Sequence, residues 1–429
     1  MNNSNSQRTQ EELIQMAQLY FPGGSTGNNT PPHLLINKGS GSKVWDADGN
    51  EYIDYLMGSG PMILGHAHPE VTEVVQEQVA KGTTFFANNE HAILLAEAIV
   101  KSVPCAENVR FTSSGSEATL YAMRAARSYT RKNKILKFEG GFHGMNDYSL
   151  MSMMPKEPIP FPQALPDSSG IPNSVRNEML IAPFNDIDLT TEIINENVSD
   201  IAGIIVEPLQ RLIPPEKGFL ESLREITSSY GIPLIFDEIV TGYRLAYGGA
   251  QEYYGVTPDL CTLGKIVAGG YPLAMIAGKK QFLNHFDPQN SKGPDYLPQI
   301  GTLNGNPIAA VAGLKTLEIL RRPESYKQIF KVGNILIDSL NQLFKQSDIP
   351  AQIIGEPPVF DIFFTSNKIT DYRSSQNANK ELLMRFNELL LQKRIFRGDT
   401  KFYTSLAHND EDISKTIDAF EFAIKNLRE

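Results

Sequence analysis

Three short segments of this 429-residue chain hold residue types whose spacing can do chemistry. The first reads Thr112-Ser113-Ser114-Gly115-Ser116-Glu117-Ala118. A short apolar run over 109–113 ends there, small residues turn the chain, and an Ala-rich helix is predicted over 116–130. A strand, turn and helix in that order aim free backbone N–H groups and the positive helix end at one point, where a phosphate can sit. The hydroxyls of Ser114 and Ser116 would stand beside it. The same residues also read as an ordinary helix start, with a serine N-cap and Glu117 in the first turn.

The second segment is the apolar run 232–236 followed by Asp237-Glu238. Carboxylates at the carboxyl end of a buried strand lie where open α/β sheets bind ligands. One there can hold a protonated ring nitrogen or a metal, or simply cap a helix. No His or Cys spacing supports a metal, so none is expected. The third segment, Thr262-Leu263-Gly264-Lys265-Ile266-Val267-Ala268-Gly269-Gly270, sets a lysine between apolar stretches and beside glycines. Partial desolvation would disfavour its ammonium and leave an amine able to form a Schiff base. Alone, it also reads as a lysine on a surface loop.

The elements needed to position these groups are visible in the pattern. Strands are predicted at 109–113, 134–139, 201–207 and 232–236, with a helix at 219–230 joining the last two. Apolar strands alternating with helices indicate a parallel sheet covered on both faces. Upstream, residues 1–70 read as an N-terminal arm with part of a small domain, including a hairpin over 43–53 that turns at Asp48-Gly49. Residues 71–310 form the large domain, and 311–429 a smaller α+β domain. The latter has helix faces marked by Ile329, Val332, Leu336, Leu340 and Leu343 and by Ile413, Ile417, Phe420, Ile424 and Leu427, with a strand over 359–365. The stretch 151–177 is long for a loop and is expected either to cover a site or to be disordered.

Bulk properties remove several function classes. The chain is 41% hydrophobic and 21% charged, with 39 Lys plus Arg against 49 Asp plus Glu, a formal charge of −10. That balance, with no long basic run, argues against nucleic acid. Cys105 and Cys261 lie in no metal or redox motif and are expected to be reduced core thiols. Apolar runs fall far short of the ~20 residues of a membrane span. The first residues lack a signal-peptide pattern, so a cytoplasmic location is expected.

Together the three segments resemble the class III aminotransferase family of fold-type I pyridoxal-phosphate enzymes. The resemblance runs over roughly 20–427 and includes Trp45-Asp-Ala-Asp-Gly-Asn-Glu-Tyr-Ile-Asp54, Leu64-Gly-His-Ala-His-Pro69, Gly140-Gly-Phe-His143, Val206-Glu-Pro208 and Gly301-Thr-Leu-Asn-Gly-Asn-Pro307. The branch most resembled is glutamate-1-semialdehyde 2,1-aminomutase, through 58–69, 236–249 and 403–412. The resemblance implies an α/β fold whose large domain carries a mainly parallel seven-stranded sheet. It also implies pyridoxal 5'-phosphate held by Lys265 as a Schiff base, with Asp237 keeping the pyridine nitrogen protonated. Ser114, Gly115 and Ser116 match the phosphate turn, Phe142 the stacking ring with His143 beside it, Ile239 the opposite ring face, and Glu207 a further cofactor contact. Thr302 matches a phosphate ligand reaching across a homodimer interface.

Three substrate-side positions depart from the aminomutase pattern. Thr30 stands where the arm carries an arginine for the substrate carboxylate, Ser59 where a tryptophan stands, and Thr400 where a glutamate stands. Arg397 is a candidate replacement cation, and Ser59 a candidate substrate contact. Gln210 falls in a shortened segment and has no clear counterpart. The expected function is therefore amino-group transfer between an amine or amino acid (a β-amino acid or a carrier-linked substrate among the options) and a keto acid or aldehyde. The alternatives are the aminomutase itself and an amino-acid racemase or epimerase on the same scaffold.

Overall fold

The computed structural model describes residues 8–26, 34–398 and 401–428. Thr30 and Thr400, two of the departures from the aminomutase pattern, lie outside the described residues.

The chain opens with a helix, Gln10–Tyr20, and then forms β1 (Ile36–Ser40), β2 (Lys43–Asp46) and β3 (Glu51–Asp54), an antiparallel meander. The β2–β3 hairpin turns at the predicted Asp48-Gly49, where the Gly49 N–H donates to the Asp46 carbonyl at 3.1 Å. Asp54 then pins the following turn, accepting from the N–H groups of Leu56 at 2.7 Å and Met57 at 3.1 Å and pairing with His66 at 2.7 Å.

The central layer comprises β4 (Asn108–Thr112), β5 (Lys134–Phe138), β6 (Met179–Ala182), β7 (Ile201–Val206), β8 (Leu234–Asp237), β9 (Leu260–Leu263) and β10 (Ala274–Gly278). Their order across the sheet is β4-β10-β9-β8-β7-β5-β6, and only β10 runs against the rest. β6 to β10 are buried along their whole length, because helices cover both faces and every residue must be apolar or paired. The helix Gly115–Thr130 lies on one face through Met123 and the small residues Ala118, Ala122, Ala125 and Ala126, which bring it close to the strands. The sheet is the mainly parallel seven-stranded one the resemblance implied.

The C-terminal part holds β11 (Gln352–Glu356), β12 (Val359–Phe363), β13 (Ile395–Phe396) and β14 (Phe402–Tyr403). β13 joins β3 in parallel, tying this part to the arm, while β11, β12 and β14 form a separate sheet. The helices Ser325–Gln346 and Asp410–Lys425 bury Val332, Leu336, Leu340, Ile413 and Phe420 in one core with Phe360 and Phe402. The stretch 151–177 is neither loose nor a simple loop: the Asp167 carboxylate accepts from the Met153 and Met154 N–H groups at 2.5 and 2.9 Å, and 173–177 is helical. No helix among the described residues is long and apolar enough to cross a membrane.

Candidate active site

Parallel strands present their carboxyl ends at one edge, and there the three chemical segments meet. Asp237 is the last residue of β8 and stands beside Thr262 of β9 in the parallel ladder. One carboxylate oxygen accepts from the Thr262 hydroxyl at 2.8 Å and from the Ile239 N–H at 3.2 Å. The other accepts from Nδ1 of His143 at 2.8 Å. Both side chains are buried, so the carboxylate is fixed in one orientation. Nε2 of His143 is itself buried without a hydrogen-bond partner. His143 therefore steers Asp237, a relation that sequence spacing does not reveal.

Lys265 follows β9 through Gly264 and opens a short 3-10 turn, Lys265–Ala268, at φ +50°. Burial pulls its ammonium below the ordinary lysine value, with Lys401 and Arg244 acting the same way and Tyr403 and Asp237 opposing. A lysine that releases its proton more readily is a better nucleophile and proton carrier. Ile239 fills the space between the lysine segment and the helix start. A Cβ on Gly264 would lie 3.0 Å from its Cδ1, and one on Gly115 3.1 Å. Both glycines thus leave room for an aliphatic side chain that borders the site.

At the start of the helix Gly115–Thr130, Ser114 is the N-cap. Its hydroxyl accepts from the Glu117 N–H at 3.3 Å, and Glu117 accepts from the N–H groups of Ser113 and Ser114, both at 2.9 Å. The capping box thus engages Ser114 locally, and the cradle for an anion reduces to the first-turn N–H groups of Gly115 and Ser116. The Ser116 hydroxyl accepts from the Met145 N–H at 3.0 Å, anchoring the loop that follows β5.

That loop carries Phe142, whose ring is 39% exposed and so available to a planar ligand. Its N–H donates to the buried Glu207 carboxylate at 2.8 Å, and the Arg211 guanidinium lies 5.3 Å from its ring centre. Glu207 therefore holds the ring-bearing loop. Gln210 does related work, donating to the Glu139 carbonyl at 2.9 Å. Below, Lys137 of β5 is fully buried and donates to the carbonyls of Gly141, Ser149 and Met151 at 3.0, 2.8 and 2.8 Å. Burial draws its ammonium down to about 7.

Thr302 lies on an exposed loop between β10 and the helix Pro307–Leu320. Ser59 is exposed at φ +66°, in the turn that Asp54 holds. Arg397 needs a correction. Its side chain is 1% exposed and its guanidinium sits 2.8 Å from the Asp361 carboxylate, with Nε donating to the Gly398 carbonyl at 2.9 Å and Phe402 stacked at 4.3 Å. Its charge is engaged inside the C-terminal core, which suits a structural cation better than a substrate anchor.

A lysine with a weakened ammonium, a fixed carboxylate, a half-exposed ring, an aliphatic wall and a helix N-terminus fit a planar, phosphate-bearing pyridine aldehyde. The sequence model of the class-III aminotransferases matches residues 25–424. The chain belongs to the class-III aminotransferase family. Among curated members, the glutamate-1-semialdehyde 2,1-aminomutase of Methanococcus maripaludis is 39% identical over 97% of this chain and 98% of its own. An aminomutase of Exiguobacterium is 40% identical over 99% and 98%. Among solved structures, an omega-transaminase from Sphaerobacter thermophilus superposes with a TM-score of 0.93 at 34% identity, covering 99% of both chains. A beta-phenylalanine aminotransferase from Variovorax paradoxus gives 0.84 at 28%, over 96% and 92%. The class-III fold-type I architecture and the mainly parallel sheet are therefore those of the family.

Sequence reasoning missed Thr262, Arg244, Lys401 and Tyr403. Thr262 was within reach, because it lies two residues before Gly264 and its strand neighbours that of Asp237. The other three are united only by the fold.

Proposed function

We propose that this enzyme is a pyridoxal-phosphate aminotransferase that moves an amino group from an amine or amino acid to a separate keto acid or aldehyde. The buried Lys265 with its weakened ammonium, set beside the fixed Asp237 in a class-III fold, carries the amine chemistry. When bound, the cofactor supplies an electron sink for the carbon that bears the amine. The protein does the rest. Lys265 Nζ takes and returns the proton at that carbon, Asp237 holds the proton on the pyridine nitrogen, Phe142 and Ile239 confine the two ring faces, and Gly115 and Ser116 N–H groups receive the phosphate.

Assembly as a homodimer, with Thr302 completing the partner's phosphate site, belongs to this reading. Its support is an exposed apolar face that includes Ile93, Leu94, Ile300 and Leu303, beside an exposed Thr302. The segments carrying that face are tied together where Asn89 donates to the Gly305 carbonyl at 2.8 Å. An exposed apolar face of this kind supports such an interface.

The aminomutase outcome has the stronger backing from relatives, since the curated proteins cited above bear that name. Transfer to a separate acceptor is favoured here by the substrate side of the site. By the family resemblance, Thr30 stands where the aminomutase pattern has arginine, Ser59 where it has tryptophan and Thr400 where it has glutamate, while the cofactor-side motifs match. One assay separates the two. Glutamate-1-semialdehyde should yield little 5-aminolevulinate, whereas a panel of β- and ω-amines should include a donor that bleaches the lysine-bound cofactor's visible band. Efficient 5-aminolevulinate formation would establish the aminomutase instead.

A further inference from the structure

Lys137 is a lysine where its strand suits an apolar residue. It lies mid-strand in β5, level with Ile181 of β6 and Ile205 of β7, and its side chain is fully buried. Ile135, two residues back on the same face, packs in the core under the helix Gly115–Thr130 together with Met151. A lysine at such a position costs stability unless every N–H finds an acceptor. Each one does. Nζ donates to the carbonyls of Gly141 at 3.0 Å, Ser149 at 2.8 Å and Met151 at 2.8 Å. An ammonium has three donors and no acceptor, so these carbonyls satisfy it completely.

The same carbonyls bracket the segment that carries Phe142 and His143. Residues 141–150 are neither helix nor strand, so their buried backbone groups depend on side chains for partners. The peptide that joins Gly141 to Phe142 is gripped from both sides: Lys137 holds its carbonyl, and the Glu207 carboxylate accepts from its N–H at 2.8 Å. A peptide unit is planar, so two such bonds fix where the Phe142 side chain leaves the backbone. At the other end, the Ser149 carbonyl is held by Lys137 while its hydroxyl donates to the His143 carbonyl at 2.8 Å. The Thr119 hydroxyl reaches the same His143 carbonyl, and His143 donates in turn to Asp237. Glu207, Thr119 and Ser116 each tie one point of this segment, whereas Lys137 ties both of its ends to one atom of the sheet.

We propose that Lys137 is a positioning residue for the cofactor, setting the 141–142 peptide and Ser149 and, through them, the Phe142 ring and the His143–Asp237 pair. It touches neither cofactor nor substrate in this role. Its bonds replace the regular secondary structure that the segment lacks. The inference rests on the placing of Phe142 and Asp237 at the cofactor ring under the proposed function.

The test compares the wild-type holoenzyme with Lys137→Met, Ser149→Ala, Phe142→Ala and Leu336→Ala. Methionine keeps the apolar stem of lysine and removes its donors, so the carbonyls turn toward water and the segment loosens. Leu336→Ala opens the C-terminal core instead and gauges general destabilisation. Amide hydrogen exchange is read along the chain, together with the circular dichroism of the cofactor's visible band and the Kd for pyridoxal phosphate. In Lys137→Met the amides of 142–151 should exchange about tenfold faster or more, with those of β7 unchanged. Its dichroism should fall toward that of Phe142→Ala, and its Kd should rise about tenfold or more. Ser149→Ala, a milder change, should weaken the dichroism and raise the Kd several-fold, and it carries the test if Lys137→Met does not fold. Leu336→Ala should keep the wild-type dichroism. Unchanged exchange over 142–151 in Lys137→Met overturns the proposal. So does faster exchange with wild-type dichroism and Kd, the pattern of a residue that only stabilises the core, and so do wild-type values in Ser149→Ala. If Phe142→Ala keeps the wild-type dichroism, the stacking role of Phe142 fails, and a loss in Lys137→Met then supports positioning through His143.

Discussion

His143 Nδ1 and Asp237 Oδ2 lie 2.8 Å apart, both side chains buried beneath the loop that carries Phe142. The histidine donates into the carboxylate that the proposed function sets at the pyridine nitrogen, so under that proposal a pair rather than one residue governs the ring proton. Thr262 holds the other oxygen. Asp237→Asn should therefore lower kcat by about two to three orders of magnitude, the effect of removing one partner from a buried charged pair, roughly 3–5 kcal/mol. His143→Leu should cost less, about ten- to a hundredfold, because it removes one charge-assisted bond of about 1.5–3 kcal/mol and leaves the carboxylate. Steady-state kinetics at saturating donor read both. Near-normal turnover in Asp237→Asn would mean that another group protonates the ring.

Lys137 predicts a pH dependence of stability with a definite sign. Its ammonium titrates at about 7 in the folded chain against 10.5 for an ordinary lysine, because it is fully buried. Below pH ~7 the group is protonated in both folded and unfolded states, and the full cost of burying the charge is present. As the pH rises from about 7 toward 10.5 the unfolded chain binds more protons than the folded one, so stability rises. The gain is on the order of 3–5 kcal/mol over the whole window. Urea unfolding of wild type and Lys137→Met at pH 7 and pH 9 should show a rise in the wild type that the variant lacks. Equal slopes in the two proteins would show that the three carbonyl acceptors keep Lys137 charged throughout.

Arg397 should behave as a core residue. Arg397→Met leaves the Asp361 carboxylate buried without its cation, and burial already raises that carboxyl above its ordinary value. The expected loss is about 3–5 kcal/mol of stability. Replacing both, Arg397→Met with Asp361→Leu, should recover most of it, and KM for the best donor should stay within twofold of wild type in the double variant. A tenfold rise in KM there, with stability restored, would return Arg397 to the substrate.

The fold was legible in the sequence because its strands and helices rest on local signals, whereas the cofactor-side roles came from the family resemblance and each segment alone left them open. The helix predicted at 219–230 is the helix Phe219–Tyr230, whose buried face recurs at Phe219, Leu220, Leu223 and Thr227 and which ends on Gly231 in the left-handed region. The predicted strand at 201–207 ends one residue sooner, at Val206, because Glu207 turns away to hold the Phe142 N–H. The strand predicted at 232–236 starts later and ends on Asp237, since the strand is set by its pairing with β9 and not by hydropathy. What stayed hidden depends on long-range contact. Arg244, Tyr403 and Gly60 lie far apart along the chain and meet only when β14 pairs with β12 beneath the arm. The pairing of Arg397 with Asp361 was hidden for the same reason, because only the fold brings these two buried residues together.

The central claim is that Lys265 is the residue that binds the cofactor covalently, and it has a specific competitor. Lys137 is another lysine whose ammonium burial weakens, and it lies under the loop that carries Phe142. Borohydride reduction of the holoenzyme followed by peptide mapping distinguishes them directly. A phosphopyridoxyl label on Lys265, lost along with turnover in Lys265→Ala while the fold is retained, is the predicted result. A label on Lys137, or on any lysine other than 265, would contradict the account.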